Sequence, residues 1–142
     1  MINAVLDTNV VLQSLIGSPK GASARTLDAL FSDEFQIASS PAVVDEWLEV
    51  LSLPKIRKRH GLTDDEILEF LAALVVSGSW HAGQTKVSAA LTHDLTDTKF
   101  LALAREARAN YLVTNDHRHL LRLKRFRSTK IVTPAEFLGV IS

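Results

Sequence analysis

The sequence comprises 142 residues, the size of one ordinary domain, and a chain of this length buries roughly two thirds of the surface that it exposes when unfolded. Its 16 Lys and Arg residues balance 16 Asp and Glu residues, so no overall charge selects a nucleic acid or an acidic membrane as partner, and any attraction to a polyanion must be local. The absence of cysteine excludes a disulfide framework, a thiolate zinc site and a cysteine nucleophile.

The N-terminal half of the chain alternates predicted strands with predicted helices. The short runs "NAVL", Asn3–Leu6, and "FQIAS", Phe35–Ser39, predict strands. Ser40 followed by Pro41 predicts an N-cap and a first helical position. Thr63 with Glu66 three residues later predicts the capping box of a further helix. The apolar stripes that we expect to face the core are Val43, Val44, Trp47, Leu48 and Leu51 in the first of these helices, and Leu68, Leu71, Ala72 and Val75 in the second.

The C-terminal half continues this alternation. The further strand candidates are "SWHA", Ser79–Ala82, "YLVT", Tyr111–Thr114, and "KIVT", Lys130–Thr133. A helix containing Phe100 precedes "YLVT", and a short helix is expected to begin at Pro134. This rhythm of β-α units predicts an α/β fold with a central parallel sheet. Because no repeat, linker or low-complexity segment interrupts it, residues 1–142 are expected to form a single domain.

The N-terminus and the apolar runs favour a soluble, unprocessed cytoplasmic protein with no membrane partner. The first ten residues contain no Lys or Arg, and Asp7 interrupts them, which excludes a charged segment followed by the apolar core of a signal peptide. The longest apolar run, Phe70–Val76, is far too short to span a bilayer.

Two acidic residues follow predicted strands at the point where each strand ends. Asp7 follows "NAVL" and Asp116 follows "YLVT", and the carboxyl ends of parallel strands meet at one edge of the sheet. Glu46 lies on the helix that begins at Pro41. At about 100° per residue it is on the side near the body of the protein, whereas Asp45 lies nearly opposite the apolar stripe. Three acids are therefore expected near the same edge.

A fourth acid opens the helix that contains Phe100. Asp97, Phe100, Leu101 and Ala104 follow the i, i+3, i+4, i+7 pattern, which places Asp97 on the core-facing side. Asp94 precedes this helix and is either its cap or an additional ligand. Each acid also has a purely structural explanation, because acidic side chains cap helices, stabilise their N-termini or are simply solvated.

The convergence of these acids is the feature that favours a metal site. Carboxylates within a few ångströms of one another repel strongly and must protonate or bind a cation, and no Lys or Arg is placed by the pattern to neutralise all four. Oxygen ligands suit Mg²⁺ or Mn²⁺, whereas zinc favours His and Cys. His117 and His119 are two residues apart and would point to different faces of a helix, so the histidines are not expected to form the site.

Four segments in order resemble the PIN-domain family: "AVLDTNVVL", "SSPAVVDEWLEVL", "DLTDTKFLALAREARANYLVTNDHRHLL" and "KIVTPAEFL". The resemblance covers essentially the whole chain and is to the bacterial and archaeal branch related to VapC, the toxin components of toxin–antitoxin pairs. It implies a three-layer α/β/α sandwich with a central parallel sheet, and cleavage of RNA that depends on Mg²⁺ or Mn²⁺. It also implies a homodimer, a cognate antitoxin protein, and products with a 5′-phosphate and a 3′-hydroxyl.

The resemblance gives roles to individual positions. Asn9 matches the small polar partner of the first acid, and Thr114 and Asn115 occupy the polar turn before the last one. The "TND" turn has Asn115 where the family often has a glycine or a basic residue, a departure that affects loop geometry without removing an acid. The family's catalytic and metal-ligating acids match four positions here: Asp7, Glu46, Asp97 and Asp116.

Two basic runs could hold a nucleic acid despite the neutral net charge. Residues 55–60 form one run, and the other contains Arg118, Arg122 and Arg125, directly after Asp116. Phosphate contacts from such groups give affinity but little sequence choice. The alternative is that both runs are ordinary solvated surface.

Two other functions are compatible with parts of the pattern. Aspartyl phosphoryl transfer would use Asp7 as the nucleophile, but as usually organised it needs a second acid two residues later, where this chain has Asn9. It would also leave Glu46 without a role. The second alternative is a module of the same fold that binds nucleic acid or protein with little or no catalytic turnover.

Overall fold

The computed structural model describes residues 1–88 and 97–142. Within these ranges six strands form one sheet in the order β3-β2-β1-β4-β6-β5. Every neighbouring pair is parallel except β5 and β6, which form an antiparallel hairpin at one edge. The strands are β1, Asn3–Leu6; β2, Gln36–Ser39; β3, Gly78–Trp80; β4, Tyr111–Val113; β5, Arg125–Phe126; and β6, Thr129–Val132.

Helices cover the sheet in a three-layer α/β/α arrangement, which confirms the predicted architecture. Helix α6 packs across β1, β2 and β4, while α1 packs on α2 and α3, and α2 packs on α8. The helices of the described residues are α1, Thr8–Ile16; α2, Ala22–Phe31; α3, Pro41–Leu51; α4, Pro54–His60; α5, Asp64–Val76; α6, Thr98–Glu106; α7, Leu120–Leu123; and α8, Pro134–Ile141.

The predicted helix starts are confirmed by their hydrogen bonds. Ser40 caps α3 by accepting from the backbone of Val43, and Pro41 occupies the first turn. In α5 the Glu66 backbone N–H donates to Thr63 Oγ1 at 3.2 Å, and the Thr63 N–H donates to Glu66 Oε1 at 3.0 Å. This reciprocal pair satisfies two backbone donors that the first turn leaves without helical partners.

The central strands are almost entirely buried, as the parallel sheet requires. Trp47 of α3 is fully buried, and the ring of Phe35 packs edge-on against Phe137 of α8 at 4.8 Å between centroids. The core therefore extends from the sheet into the helical layer that carries α3. None of the helices among the described residues is long and apolar enough to cross a membrane.

The apolar stripe predicted for α5 is correct at Leu71 but wrong at Leu68 and Ala72. Ile67, Leu71 and Leu74 are the buried positions, whereas Leu68 is 53% exposed and Ala72 is also exposed. Apolar residues occupy more than one face of this helix, so spacing alone allows two stripes, and packing against α3 and β3 selects between them. In α3, Leu48 is likewise at the rim and is 36% exposed.

The antiparallel strand β5 was not predicted. Its two residues, Arg125 and Phe126, are too few to show a strand pattern, and they lie within the second basic run. The chain reverses through Arg127 and Ser128 to pair Phe126 with Thr129, and Arg127 adopts a φ of 53°. A positive φ suits a two-residue hairpin turn. The second basic run is therefore partly a hairpin.

Candidate active site

The edge formed by the carboxyl ends of β1 and β4 carries the predicted acids. Asp7 directly follows β1, and Asp116 lies three residues beyond the end of β4. Glu46 projects from α3, and Asp97 is the N-cap residue of α6. Four elements that are distant in sequence therefore contribute one acid each.

Contacts and electrostatic interactions connect these acids to one another. Glu46 and Asp116 both raise the pKa of Asp7 through like-charge repulsion. Asp97 and Asp116 offer ligand atoms that lie within 4.8 Å of each other. Asp97 is only 6% exposed, which confirms its predicted position on the core-facing side of α6. The structure thus links the four acids in steps: Glu46 and Asp116 act on Asp7 through their charges, and Asp116 lies beside Asp97, but the group within 4.8 Å includes neither Asp7 nor Glu46.

Asp7 is held by three hydrogen bonds. Its Oδ1 accepts from the backbone N–H of Thr8 at 2.7 Å, so Asp7 also caps α1. Its Oδ2 accepts from the Thr114 hydroxyl at 2.6 Å and from the Asn9 side-chain amide at 3.1 Å. Both carboxylate oxygens therefore have a defined orientation.

Burial makes the charge on Asp7 costly. The side chain is 6% exposed, and its pKa is raised from 3.8 to about 6, chiefly by desolvation. The charges of Glu46 and Asp116 contribute to this increase, whereas the hydrogen bonds from Thr114 and Thr8 reduce it. A cation at this edge of the sheet would remove much of that cost.

Thr114 and Asn9 connect Asp7 to the turn that carries Asp116. The Thr114 hydroxyl, fully buried, donates to Asp7 and accepts from the backbone N–H of Asp116 at 2.9 Å. Asn9 Oδ1 accepts from the backbone N–H of Asn115 at 3.1 Å. These contacts fix the distance between the ends of β1 and β4.

Asp116 organises the turn that follows it. Its Oδ1 accepts from the backbone N–H groups of Arg118 and His119, both at 3.1 Å, and its Oδ2 accepts from Leu120 N at 3.4 Å. Asp7 and Asp116 therefore have the structural role considered for them, because each caps a turn or helix. This role does not exclude a second one, since both residues also belong to the acidic cluster.

Glu46 already has a cationic partner, which the sequence analysis missed. Lys99 Nζ lies 2.8 Å from Glu46 Oε1, and the side chains are 27% and 18% exposed, respectively. The Thr8 hydroxyl donates to Glu46 Oε2. Lys99 lies two residues after Asp97, which brings it to the site on the same helix. The sequence analysis expected no Lys or Arg to neutralise all four acids, and Lys99 pairs with one of them, Glu46.

His119 is a second residue that the sequence analysis did not place at the site. Its Nδ1 lies 3.4 Å from Asp116 Oδ2, and its ligand atom lies within 4.8 Å of those of Asp97 and Asp116. The spacing argument assumed a helix, but residues 117–119 form a turn and α7 begins only at Leu120. A turn removes the constraint that i, i+2 side chains diverge.

The remaining predicted residues lie around this centre or outside the described part of the chain. Arg118, Arg122 and Arg125 are exposed and form no ion pair within the residues that the structure describes. Asp94 lies outside those residues. In the first basic run Arg57 pairs with Asp64 at 2.9 Å, and His60 Nε2 lies 2.8 Å from the Leu51 carbonyl, so part of that run is structural.

The donor set is suited to a hard or intermediate divalent ion. Carboxylate oxygens predominate, with one imidazole nearby, and no thiol is present in the sequence. Mg²⁺ and Mn²⁺ are the common ions for such oxygen-rich sites. The residues at this edge therefore fit the divalent ion that the resemblance implies.

Comparison with known proteins identifies relatives over nearly the whole chain. A family profile described as the PIN domain matches residues 3–118. The uncharacterized protein MJ1680 of Methanocaldococcus jannaschii is 28% identical over 144 residues, which cover 96% of this chain and 90% of that protein.

Two solved structures share the fold. VapBC2 from Rickettsia felis, bound to a DNA fragment from their promoter, matches with a TM-score of 0.58 and 15% identity, over 93% of this chain and 98% of that one. FitAB bound to an IR36 DNA fragment matches with a TM-score of 0.57 and 17% identity, over 92% and 94%. At these identities the likeness is one of fold.

Proposed function

This chain belongs to the PIN domain family, and from that premise we propose that it is a Mg²⁺- or Mn²⁺-dependent ribonuclease and the toxin of a toxin–antitoxin pair. The observation that carries the proposal is the convergence of four acids from four elements beside the ends of β1 and β4. The raised pKa of Asp7 supports it, because a buried carboxylate among like charges is stabilised by a bound cation.

The acids would bind the ion, and the residues around them keep the acidic side chains in position. When bound, the divalent ion would activate a water and neutralise charge on the scissile phosphate. Thr114 and Asn9 orient Asp7, while Lys99 and Thr8 orient Glu46. The four proposed ligands are Asp7, Glu46, Asp97 and Asp116.

The RNA backbone would be held by the exposed arginines next to Asp116. Arg118, Arg122 and Arg125 extend from the turn, α7 and β5, and contacts from them would reach phosphates near the acids. Such contacts supply affinity that falls steeply with salt and confer little sequence choice.

The proposed partners are an antitoxin protein and a second copy of this chain. The fold shared with VapBC2 and FitAB, both determined as complexes with DNA, supports a protein partner in the same kind of assembly. Large apolar side chains are exposed on α5 and β3 and would suit a protein interface. These side chains are Leu68, Val76 and Trp80.

The proposal is tested by RNA cleavage with a matched pair of Asp→Asn variants. Asp97→Asn changes the buried acid of α6, and Asp45→Asn changes an exposed acid of α3 that is not among the proposed ligands. We expect the wild-type protein to cleave labelled RNA with Mn²⁺ or Mg²⁺ and to lose cleavage in EDTA. Asp97→Asn should reduce the rate at least about 100-fold, whereas Asp45→Asn should retain it.

Two further measurements complete this test: the chemical nature of the RNA product ends, and the folding of the variants. Metal-activated water leaves a 5′-phosphate, which a phosphate-dependent exonuclease detects, and circular dichroism confirms that both variants fold. Equal cleavage by wild-type and Asp97→Asn proteins would refute the proposed site. Binding of RNA without cleavage by folded wild-type protein would favour a binding module instead, in which the Lys99–Glu46 ion pair simply neutralises the acid.

A further inference from the structure

The imidazole of His119 lies beside two of the acids, Asp97 and Asp116. One ligand atom from each of Asp97, Asp116 and His119 falls within a span of 4.8 Å. Two ligands about 2.1 Å from one ion lie about 3 to 4 Å apart. The three groups therefore need only small side-chain adjustments to share one ion.

Asp116 also fixes the position of the His119 main chain. The His119 backbone N–H donates to Asp116 Oδ1 at 3.1 Å, and the His119 carbonyl accepts from Arg122 N at 3.2 Å. Its side chain is 28% exposed, so the ring is partly enclosed. His117, two residues earlier, is exposed and does not belong to this group of three. The turn thus presents one histidine to the acids and leaves the other in solvent.

An imidazole ligand changes which ion such a site prefers. Mg²⁺ strongly favours oxygen ligands and gives up its water reluctantly, whereas first-row transition ions accept nitrogen readily. A site of four carboxylates discriminates weakly between Mg²⁺ and Mn²⁺ by ligand type. Adding one imidazole nitrogen increases the preference for Mn²⁺.

We propose that His119 is a ligand of the divalent ion, together with Asp97 and Asp116, and that it makes this site selective for Mn²⁺ over Mg²⁺. This inference rests on the proposed metal-dependent nuclease function. It assigns His119 direct contact with the ion, which differs from a role in which the ring only hydrogen-bonds to Asp116.

The test compares His119→Gln with His117→Gln in the full-length protein. Gln retains hydrogen-bonding capacity beside Asp116 but removes the imidazole, and His117→Gln is the matched control on the same turn. Mn²⁺ affinity is measured by electron paramagnetic resonance titration, and Mg²⁺ affinity by competition. Pulsed measurements on the Mn²⁺ complex detect a directly coordinated nitrogen.

Wild-type and His117→Gln proteins should show the nitrogen coupling and bind Mn²⁺ more tightly than Mg²⁺. His119→Gln should lose the coupling and bind Mn²⁺ at least about tenfold more weakly, with its Mg²⁺ affinity changed less than about threefold. The ratio of the two affinities is the decisive quantity, because general damage to the site would weaken both ions alike.

Failure of the inference differs from failure of the proposed function. If wild-type protein binds Mn²⁺ and cleaves RNA but shows no nitrogen coupling, or if His119→Gln keeps the wild-type affinity ratio, His119 is not a ligand and the nuclease proposal stands. If folded wild-type protein binds neither ion and cleaves no RNA, the proposed function is wrong and the inference fails with it.

Discussion

At the scale of single residues, Asp7 combines a structural role with an electrostatic cost. It caps α1 through Thr8 N and joins β1 to the turn after β4 through Thr114. Its burial beside Glu46 and Asp116 nevertheless raises its pKa to about 6. A residue chosen only as a helix cap would be equally effective at the surface, where ionisation is inexpensive. Capping alone therefore does not require the burial of Asp7, whereas the proposed ion binding would account for it.

The raised pKa of Asp7 predicts how the stability of the metal-free protein depends on pH. Between about pH 4 and pH 6 the folded state retains a proton that the unfolded state has released, so the free energy of unfolding falls as pH rises through this window. A shift from 3.8 to about 6 corresponds to roughly 3 kcal/mol. Above about pH 6 the penalty is constant.

Asp7→Asn should remove this penalty. With EDTA present, we expect the variant to be more stable than wild type at pH 7 by about 1–2 kcal/mol, because part of the gain is lost with the altered bond to Thr114. Urea unfolding at pH 4, 5, 6 and 7 measures the difference, and Asp45→Asn is the control that should follow the wild-type curve. A constant difference across this range would show that ionisation of Asp7 is not the cause.

At the scale of elements, the sequence predicts what depends on spacing within one helix or strand. It located every strand of the described residues except β5, to within one or two residues at the ends, as well as the caps at Ser40 and Thr63 and the inward side of Asp97. It missed Lys99 and His119, because both reach the site through contacts with another element or through a turn that sequence spacing does not describe. The misassigned stripe of α5 has the same origin, since packing against its neighbours selects its buried face.

Helix α6 carries opposite charges in its first turns, with Asp97 beside the proposed ion site and Lys99 on Glu46 of α3. The ammonium group would compete with a metal ion for Glu46 and repel it. Lys99→Gln should therefore tighten Mn²⁺ binding by about threefold to tenfold, whereas Lys99→Arg, which keeps the charge, should bind as wild type does. Isothermal titration calorimetry measures both. Weaker binding by Lys99→Gln would instead mean that the role of Lys99 in orienting Glu46 outweighs its repulsion of the ion.

At the scale of the whole molecule, the acids connect parts of the chain that are far apart in sequence. They come from the end of β1, the middle of α3, the start of α6 and the turn after β4. The topology explains this arrangement, because β1 and β4 are adjacent parallel strands whose carboxyl ends meet. A ligand bound there contacts elements that the unfolded chain does not hold together. Ion binding should therefore stabilise the entire fold.

The size of that stabilisation can be predicted from mass action. A ligand that binds only the folded state at 100 times its dissociation constant adds about 2.7 kcal/mol, or about 8 °C in melting temperature for a chain of this size. Mn²⁺ at that excess should produce this increase in wild-type and Asp45→Asn proteins, and EDTA should reverse it. Asp116→Asn should lose most of the increase while remaining folded, since asparagine can still accept the backbone hydrogen bonds of the turn.

Calorimetric scans with and without Mn²⁺ measure the increase in melting temperature itself, which separates ion binding from any change in the stability of the metal-free protein. An equal increase in Asp116→Asn would place the ion elsewhere on the molecule.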